Sequence, residues 1–253
     1  MIYDLQKASL GKRISAALFD IIILACLVVA LAAIFSAVFG YDKYNAQLTA
    51  AYDKYEKEYN VDWDISFEDL EKLTEEDLAR YKAAEEALNA DEGAVFAYNM
   101  VFNLSLVIIT LSILFGYFIL EFIVPNLFGN GQTFGKKIFG IAVMREDGVK
   151  VIPPLMFIRT ILGKFTIETM IPVLIIVMIL FEAIGLMGTI IIGLILLLQI
   201  ILMIATRTNS TIHDVLAKTV VVDLSSQMIF DSEEALVEYK KKVHAEQAAR
   251  QTY

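Results

Sequence analysis

A chain of 253 residues that is 57% hydrophobic, with a formal charge of −9, exceeds the roughly 45–50% apolar content of soluble domains, and its apolar residues are gathered into long runs. The negative balance excludes nucleic acid as an expected partner, because phosphate binding needs a basic surface. The single cysteine, Cys26, excludes an intrachain disulfide framework and a cysteine-based metal site.

A helix needs about 20 apolar residues to cross a ~30 Å hydrocarbon core. Residues 14–39 form the first predicted span, with Asp20 inside it. Its length, its internal Asp and the spans that follow argue for an uncleaved helix rather than a signal peptide. Residues 41–97 hold sixteen Asp/Glu against six Lys/Arg. Ser66 precedes Asp69, and Thr74 precedes Asp77, at capping spacing. The 74–90 stretch is rich in strong helix formers, and Tyr44, Tyr52, Tyr55 and Tyr59 recur on one side of a helical wheel. This predicts an acidic helical hairpin outside the membrane. It reads either as a solvated cap or as a mouth that concentrates cations.

Residues 95–124 form the second predicted span, with Glu121 near its end and Pro125 closing it. Asn99, Asn103, Thr110, Tyr117 and Glu121 follow at steps of 4, 7, 7 and 4, which places them on one stripe. Such a stripe is a packing face or the wall of a polar path. The glycines from Gly129 onward give a tight turn but lack phosphate-loop spacing. Residues 138–144 and 149–152 flank Asp147 and Gly148, favoured in two-residue hairpin turns. With 219–222 they predict a small cytoplasmic sheet. Residues 155–164 read as an interfacial helix with Arg159 and Lys164 at the headgroups.

Residues 165–206 are about twice the length of a span, and the break at 182–185 divides them into 165–181 and 186–206. Beyond them lie His213, Asp214 and a polar helix, 232–250, expected in solution. Basic residues flank the spans on one side: Lys7, Lys12 and Arg13, then Lys136, Lys137, Arg145, Lys150, Arg159 and Lys164, then Arg207 and Lys218. The positive-inside rule therefore predicts two cytoplasmic ends and a multi-pass protein of the cell membrane.

The predicted fold is an all-α membrane protein with about four transmembrane helices, a small cytoplasmic β-hairpin and an acidic helical extracytoplasmic insertion. Its segments are 1–40, 41–97, 98–125, 126–164, 165–206 and 207–253. A carboxylate at a helix centre in the bilayer costs about 2.5–3.5 kcal/mol, so Asp20 is the first functional candidate. Arg13 lies about 10.5 Å along the axis on the same face and can either snorkel outward or bend toward Asp20. Glu121 lies at a similar depth. His213 can exchange protons near neutral pH or serve as a structural hydrogen-bonding group beside Asp214. There is no HExxH, GxSxG or GxGxxG pattern and no nucleophile paired with a base, so neither an enzyme nor a cofactor is expected, and no metal site is assigned.

Three pieces carry a family resemblance: Arg13 and Asp20 opening the first span; GQTFGKKIFGIAV at 131–143, followed by Asp147, Gly148 and Arg159; and IHDVLAKTVV at 212–221. Together they resemble the RDD family of bacterial membrane proteins, named for one arginine and two aspartates. The resemblance covers most of 8–40 and 98–223. It implies that Arg13 and Asp20 are the arginine and first aspartate, and that Asp214 is the second. It leaves out 41–97 and the tail, and it departs at Lys218, where the family usually has glycine. It implies a transport-related protein, with sodium/proton exchange in some members. Two functions are therefore expected. One is a transporter or monovalent cation/proton exchanger that uses Asp20, Glu121, Arg13, Asp214, His213 and Arg159. The other is a non-transporting scaffold or accessory subunit in which an Arg/Asp network fixes the helices. Four helices are few for a lone carrier and no inverted repeat is evident, so the first reading carries the expectation of a homo-oligomer.

Overall fold

The computed structural model describes residues 5–70, 72–180 and 182–250. In chain order the elements are α1 (Leu10–Phe39), α2 (Tyr41–Tyr59), α3 (Phe67–Leu70), α4 (Glu75–Ala90), α5 (Glu92–Phe128), α6 (Phe134–Ile138), β1 (Ile141–Arg145), α7 (Pro153–Leu180), α8 (Gly185–Ala205), α9 (Ile212–Ala217), β2 (Thr219–Asp223) and α10 (Glu233–Arg250). Helices α1, α5, α7 and α8 are long and apolar enough to cross a membrane. The chain divides into two compact units, one running up to Leu27 and resuming at Ile113, the other Val28–Ser112.

In the Val28–Ser112 unit, α2 and α4 pack around Tyr55, Leu88 and Ala94, with Tyr52, Tyr59 and Trp63 against them. Both expected caps form: Ser66 Oγ accepts from the Asp69 N–H at 3.2 Å, and Thr74 Oγ1 accepts from the Asp77 N–H at 3.1 Å. The tyrosines serve as core. The Tyr52 ring meets the edge of Trp63 at 5.7 Å, and Tyr55 Oη donates to Asp91 at 3.0 Å.

In the other unit β1 and β2 pair antiparallel with Val143 opposite Val221. Both faces of this pair are buried. Ile141, Val143 and Val221 lie against Ala8, Ala16 and Met156 on one side, and Ala142, Met144, Val220 and Val222 form the other. Burial on both faces explains why these strands read as unbroken apolar runs rather than alternating ones. The turn at Asp147 and Gly148 forms, with the Gly148 N–H bonded to the Arg145 carbonyl at 3.0 Å. However, the partner of β1 is β2. Residues 149–152 give β1 one isolated bridge, Met144 to Lys150, and bridge Phe230 through Val149, while the edge of β2 is met by Lys7.

Three predicted boundaries change. The 155–164 helix is not a separate interfacial piece. It is continuous with the third span in the 28-residue α7, whose first turn holds Pro153 and Pro154, where a missing N–H is harmless. Pro125 does not end α5, which runs on to Phe128. The polar tail is not free in solution along its length. Leu236 and Tyr239 of α10 dock on Phe230 and Val149. The α7–α8 break does fall at 182–185, with positive φ at Glu182 (57°) and Gly185 (39°). The predicted boundary at Phe181 and the chain ends 1–4 and 251–253 lie outside the described residues.

Candidate functional site

Asp20 is 5% exposed, and it is not held by Arg13. Its carboxylate accepts from the Gly135 N–H at 2.8 Å and from the Thr133 hydroxyl, and it lies 3.8 Å from Lys136 Nζ. All three partners come from the start of α6. Thr133 caps that helix, accepting from the Lys136 N–H, while its hydroxyl proton goes to Asp20. Gly135 is required by close approach: a Cβ there would collide with the Ala16 carbonyl and come within 2.9 Å of the Asp20 carboxyl carbon. The GQTFGKK run is thus a clamp for the first-span aspartate.

Arg13 turns the other way. Its Nη2 donates to Asp214 Oδ2 at 3.0 Å and its Nη1 to the Asn209 carbonyl. Asp214, fully buried, also accepts from Arg159 on its Oδ1 alone, from Nε at 3.1 Å and Nη2 at 2.9 Å, and takes hydroxyl protons from Thr211 and Thr219. Burial alone would raise its carboxyl pKa, but Arg159, His213 and Arg13 hold it well below the usual carboxylate range. Glu121 bonds to Lys164 and to Lys136 at 3.4 Å, with Arg159 Nη1 at 3.8 Å. Lys136, itself buried, is pushed down to about 8 by burial, with Glu121 opposing. His213 bonds to Glu168 through Nδ1 at 2.7 Å and to Thr211 through Nε2 at 2.9 Å. Burial, reinforced by Arg159, lowers its pKa.

All six candidate residues therefore belong to one network, and the sequence reading missed Lys136, Lys164 and Glu168 as its members. The upper part of the predicted α5 stripe behaves differently. Asn103 bonds the Asn99 carbonyl of its own helix, and Tyr117 meets Thr169 at 3.0 Å.

Backbone winding explains the convergence. Residues Phe118–Ile123 of α5 and Ile158–Met170 of α7 are π-helical. Widening the hydrogen-bonded ring to i→i+5 takes the period from 3.6 to roughly 4.4 residues per turn. At 3.6, Arg159 and Glu168 would face opposite ways; at 4.4 they lie two turns apart on one face, with Lys164 between. Pro125 has no N–H for the carbonyl four residues back, that of Glu121. Thr160 Oγ1 donates to that carbonyl at 2.9 Å, joining the two π segments. Gly163 permits the approach of α9, since a Cβ there would strike the His213 Cβ.

A cavity of about 170 Å³ opens on this network, bounded by Arg13, Asp20, Lys136, Arg159, Lys164 and His213, with Ala17 and Met203 on its apolar wall. Among the described residues no group of three or more His, Cys, Asp or Glu is placed to hold a metal.

Comparison with known proteins gives a match to the model of the RDD family over residues 7–218. No curated protein and no solved structure matches the chain.

Proposed function

The chain belongs to the RDD family, and on that footing we propose that it is a multi-pass transport protein of the cell membrane whose solute passes through the charged cavity. Both termini would lie inside, by the distribution of Lys and Arg around the spans, and the acidic helical insertion outside. The observation that carries the reading is a cavity, rather than a sealed core, at the meeting point of Asp20, Lys136 and Arg159. Ionisable groups at bilayer depth mark solute pathways when they face such a space. In the cation/proton exchange that some family members perform, the exchanging group here would be Lys136. It stands between Asp20 and Glu121, so its loss of a proton would leave two carboxylates for a monovalent cation.

A second reading has an observation of its own. Each of Asp20, Glu121 and Asp214 already has a cationic partner, which suits a scaffold whose network only fixes helix packing. Purified protein in liposomes separates the two. Transport requires solute-dependent flux, of cations, protons or small anions, above that of empty vesicles, and Asp20→Asn should abolish it. Flux equal to empty vesicles across the panel leaves the scaffold.

A further inference from the structure

The cavity wall is unbalanced in a way the network as a whole is not. Arg13, Lys136, Arg159 and Lys164 line it against a single carboxylate, Asp20, while Glu121 and Asp214 do not line it. The acids therefore stand behind the cations and hold them. Arg159 shows the consequence most clearly. It is 1% exposed. Its Nε and Nη2 are committed to Asp214, and its Nη1 is buried with no hydrogen-bond partner. Glu121 Oε2, at 3.8 Å, is too distant for an N–H···O bond. A buried guanidinium donor without an acceptor carries a desolvation penalty, and its charge adds to the positive wall. Lys164, an ammonium with three donors, lines the cavity and is bonded to Glu121 alone, so it has donors to offer.

We propose that the cavity binds a small free anion, a carboxylate or a tetrahedral oxyanion, with the Lys164 ammonium as its donor and Arg13, Lys136 and Arg159 supplying the rest of the positive wall. Hydrogen bonds from a charged donor to such oxygens are the strong kind. The space is many times the ~10–15 Å³ a water molecule needs. The inference rests on the transport reading only for its biological use, because it gives the solute of that site its sign.

The test is binding of acetate, phosphate and sulfate, as sodium salts, to the full chain in lipid-free detergent. Sodium chloride is held constant, and binding is read by calorimetry and by thermal shift. Saturable binding of at least one of them is expected. Lys164→Gln removes the ammonium that has donors to spare, and should weaken binding at least roughly tenfold. Since that variant also breaks the ion pair with Glu121, Ala17→Leu, which adds volume on the cavity wall and breaks no ion pair, should weaken binding to a similar degree in a protein that elutes as the wild type does. Absence of saturable binding by all three anions, or binding indifferent to the cavity-filling variant, overturns the proposal. Binding seen only with anionic phospholipid in nanodiscs overturns it too, because the ligand would then be a headgroup. Anion binding without flux keeps this inference and removes transport; cation flux without anion binding does the reverse.

Discussion

In the Val28–Ser112 unit the carboxylates face water. Glu75 and Glu76 are exposed in the first turn of α4, and the Asp69–Lys72 pair has both side chains well over half exposed. In the other unit Asp20, Glu121 and Asp214 are each 5% exposed or less, and each is gripped by cations, with hydroxyls added at Asp20 and Asp214. The first set supplies most of the negative charge of the chain and little of its architecture, since exposed pairs are screened and contribute marginally. The second set is nearly neutral in sum, yet it ties α1, α5, α7 and α9 together. Net charge and structural weight are therefore inversely distributed, and substitutions at matched residue types should expose the difference.

The largest effect is expected at the buried pair. Asp214→Asn leaves Arg13 without its anion and Arg159 with only the more distant Glu121, and should cost about 3–5 kcal/mol, the range for breaking one side of a buried ion pair. Denaturant unfolding in detergent measures it. The chain has one tryptophan, Trp63, packed in the insertion against Tyr52 and Tyr81. Its fluorescence should hardly change in the folded variant, whereas hydrogen exchange over 212–223 should accelerate. A variant as stable as the wild type would mean that the network carries no more than the surface pairs do. Gly163→Ala comes next. Its methyl must displace His213, and overpacking of this kind costs about 1–3 kcal/mol.

The pH dependence of Lys136 follows, with two opposite signs. Its ammonium faces Asp20, Glu121, Thr133, Arg159 and Lys164. Raising the pH through about 8 removes its proton in the folded chain, so affinity for a small anion should fall there. Stability should rise over the same window. The unfolded lysine keeps its proton up to its ordinary 10.5, so between about 8 and 10.5 the unfolded chain binds more protons and unfolding becomes less favourable with pH. Lys136→Met should flatten both trends. Affinity and stability that moved together would show that the titrating group is elsewhere.

How much of this contrast the sequence carries differs between the two units. The insertion was readable almost whole, because its caps, helix formers and tyrosine face are local signals. The buried set was readable where burial itself is anomalous: Asp20 and Glu121 stand out in apolar runs, and Asp214 came from the family pattern. Lys136, Lys164 and Glu168 were hidden for physical reasons. A lysine in a basic loop looks like a positive-inside flank, and nothing local says that Thr133 and Gly135 bring it under Asp20. Glu168 falls opposite Arg159 at a 3.6-residue period and joins it only through π winding. The β1–β2 pairing is non-local, so a nearby Asp-Gly turn drew the hairpin toward 149–152. Lys218, where the resemblance departs from glycine, has a positive φ of 49° at the end of α9. The family glycine thus answers to backbone conformation. Lys218→Gly should stabilise the chain by about 1 kcal/mol, the usual penalty of a side chain in that region.

The smallest effect is expected back in the insertion, and its smallness is what gives the comparison force. Glu75→Gln with Glu76→Gln removes two negative charges from the first turn of α4 but leaves the Thr74 cap on the Asp77 N–H in place. The helix end keeps its hydrogen-bonded stop, and the lost attraction between the carboxylates and the helix dipole is screened by salt. The midpoint of unfolding followed by Trp63 fluorescence should stay within experimental scatter at physiological ionic strength. A displacement should emerge, if at all, only as salt is lowered and the Debye length grows toward 30 Å at 0.01 M. Two carboxylates removed here without consequence, against one amide substitution at Asp214 that costs several kcal/mol, would establish that burial, and not the number of charges, decides what an acidic residue does in this chain.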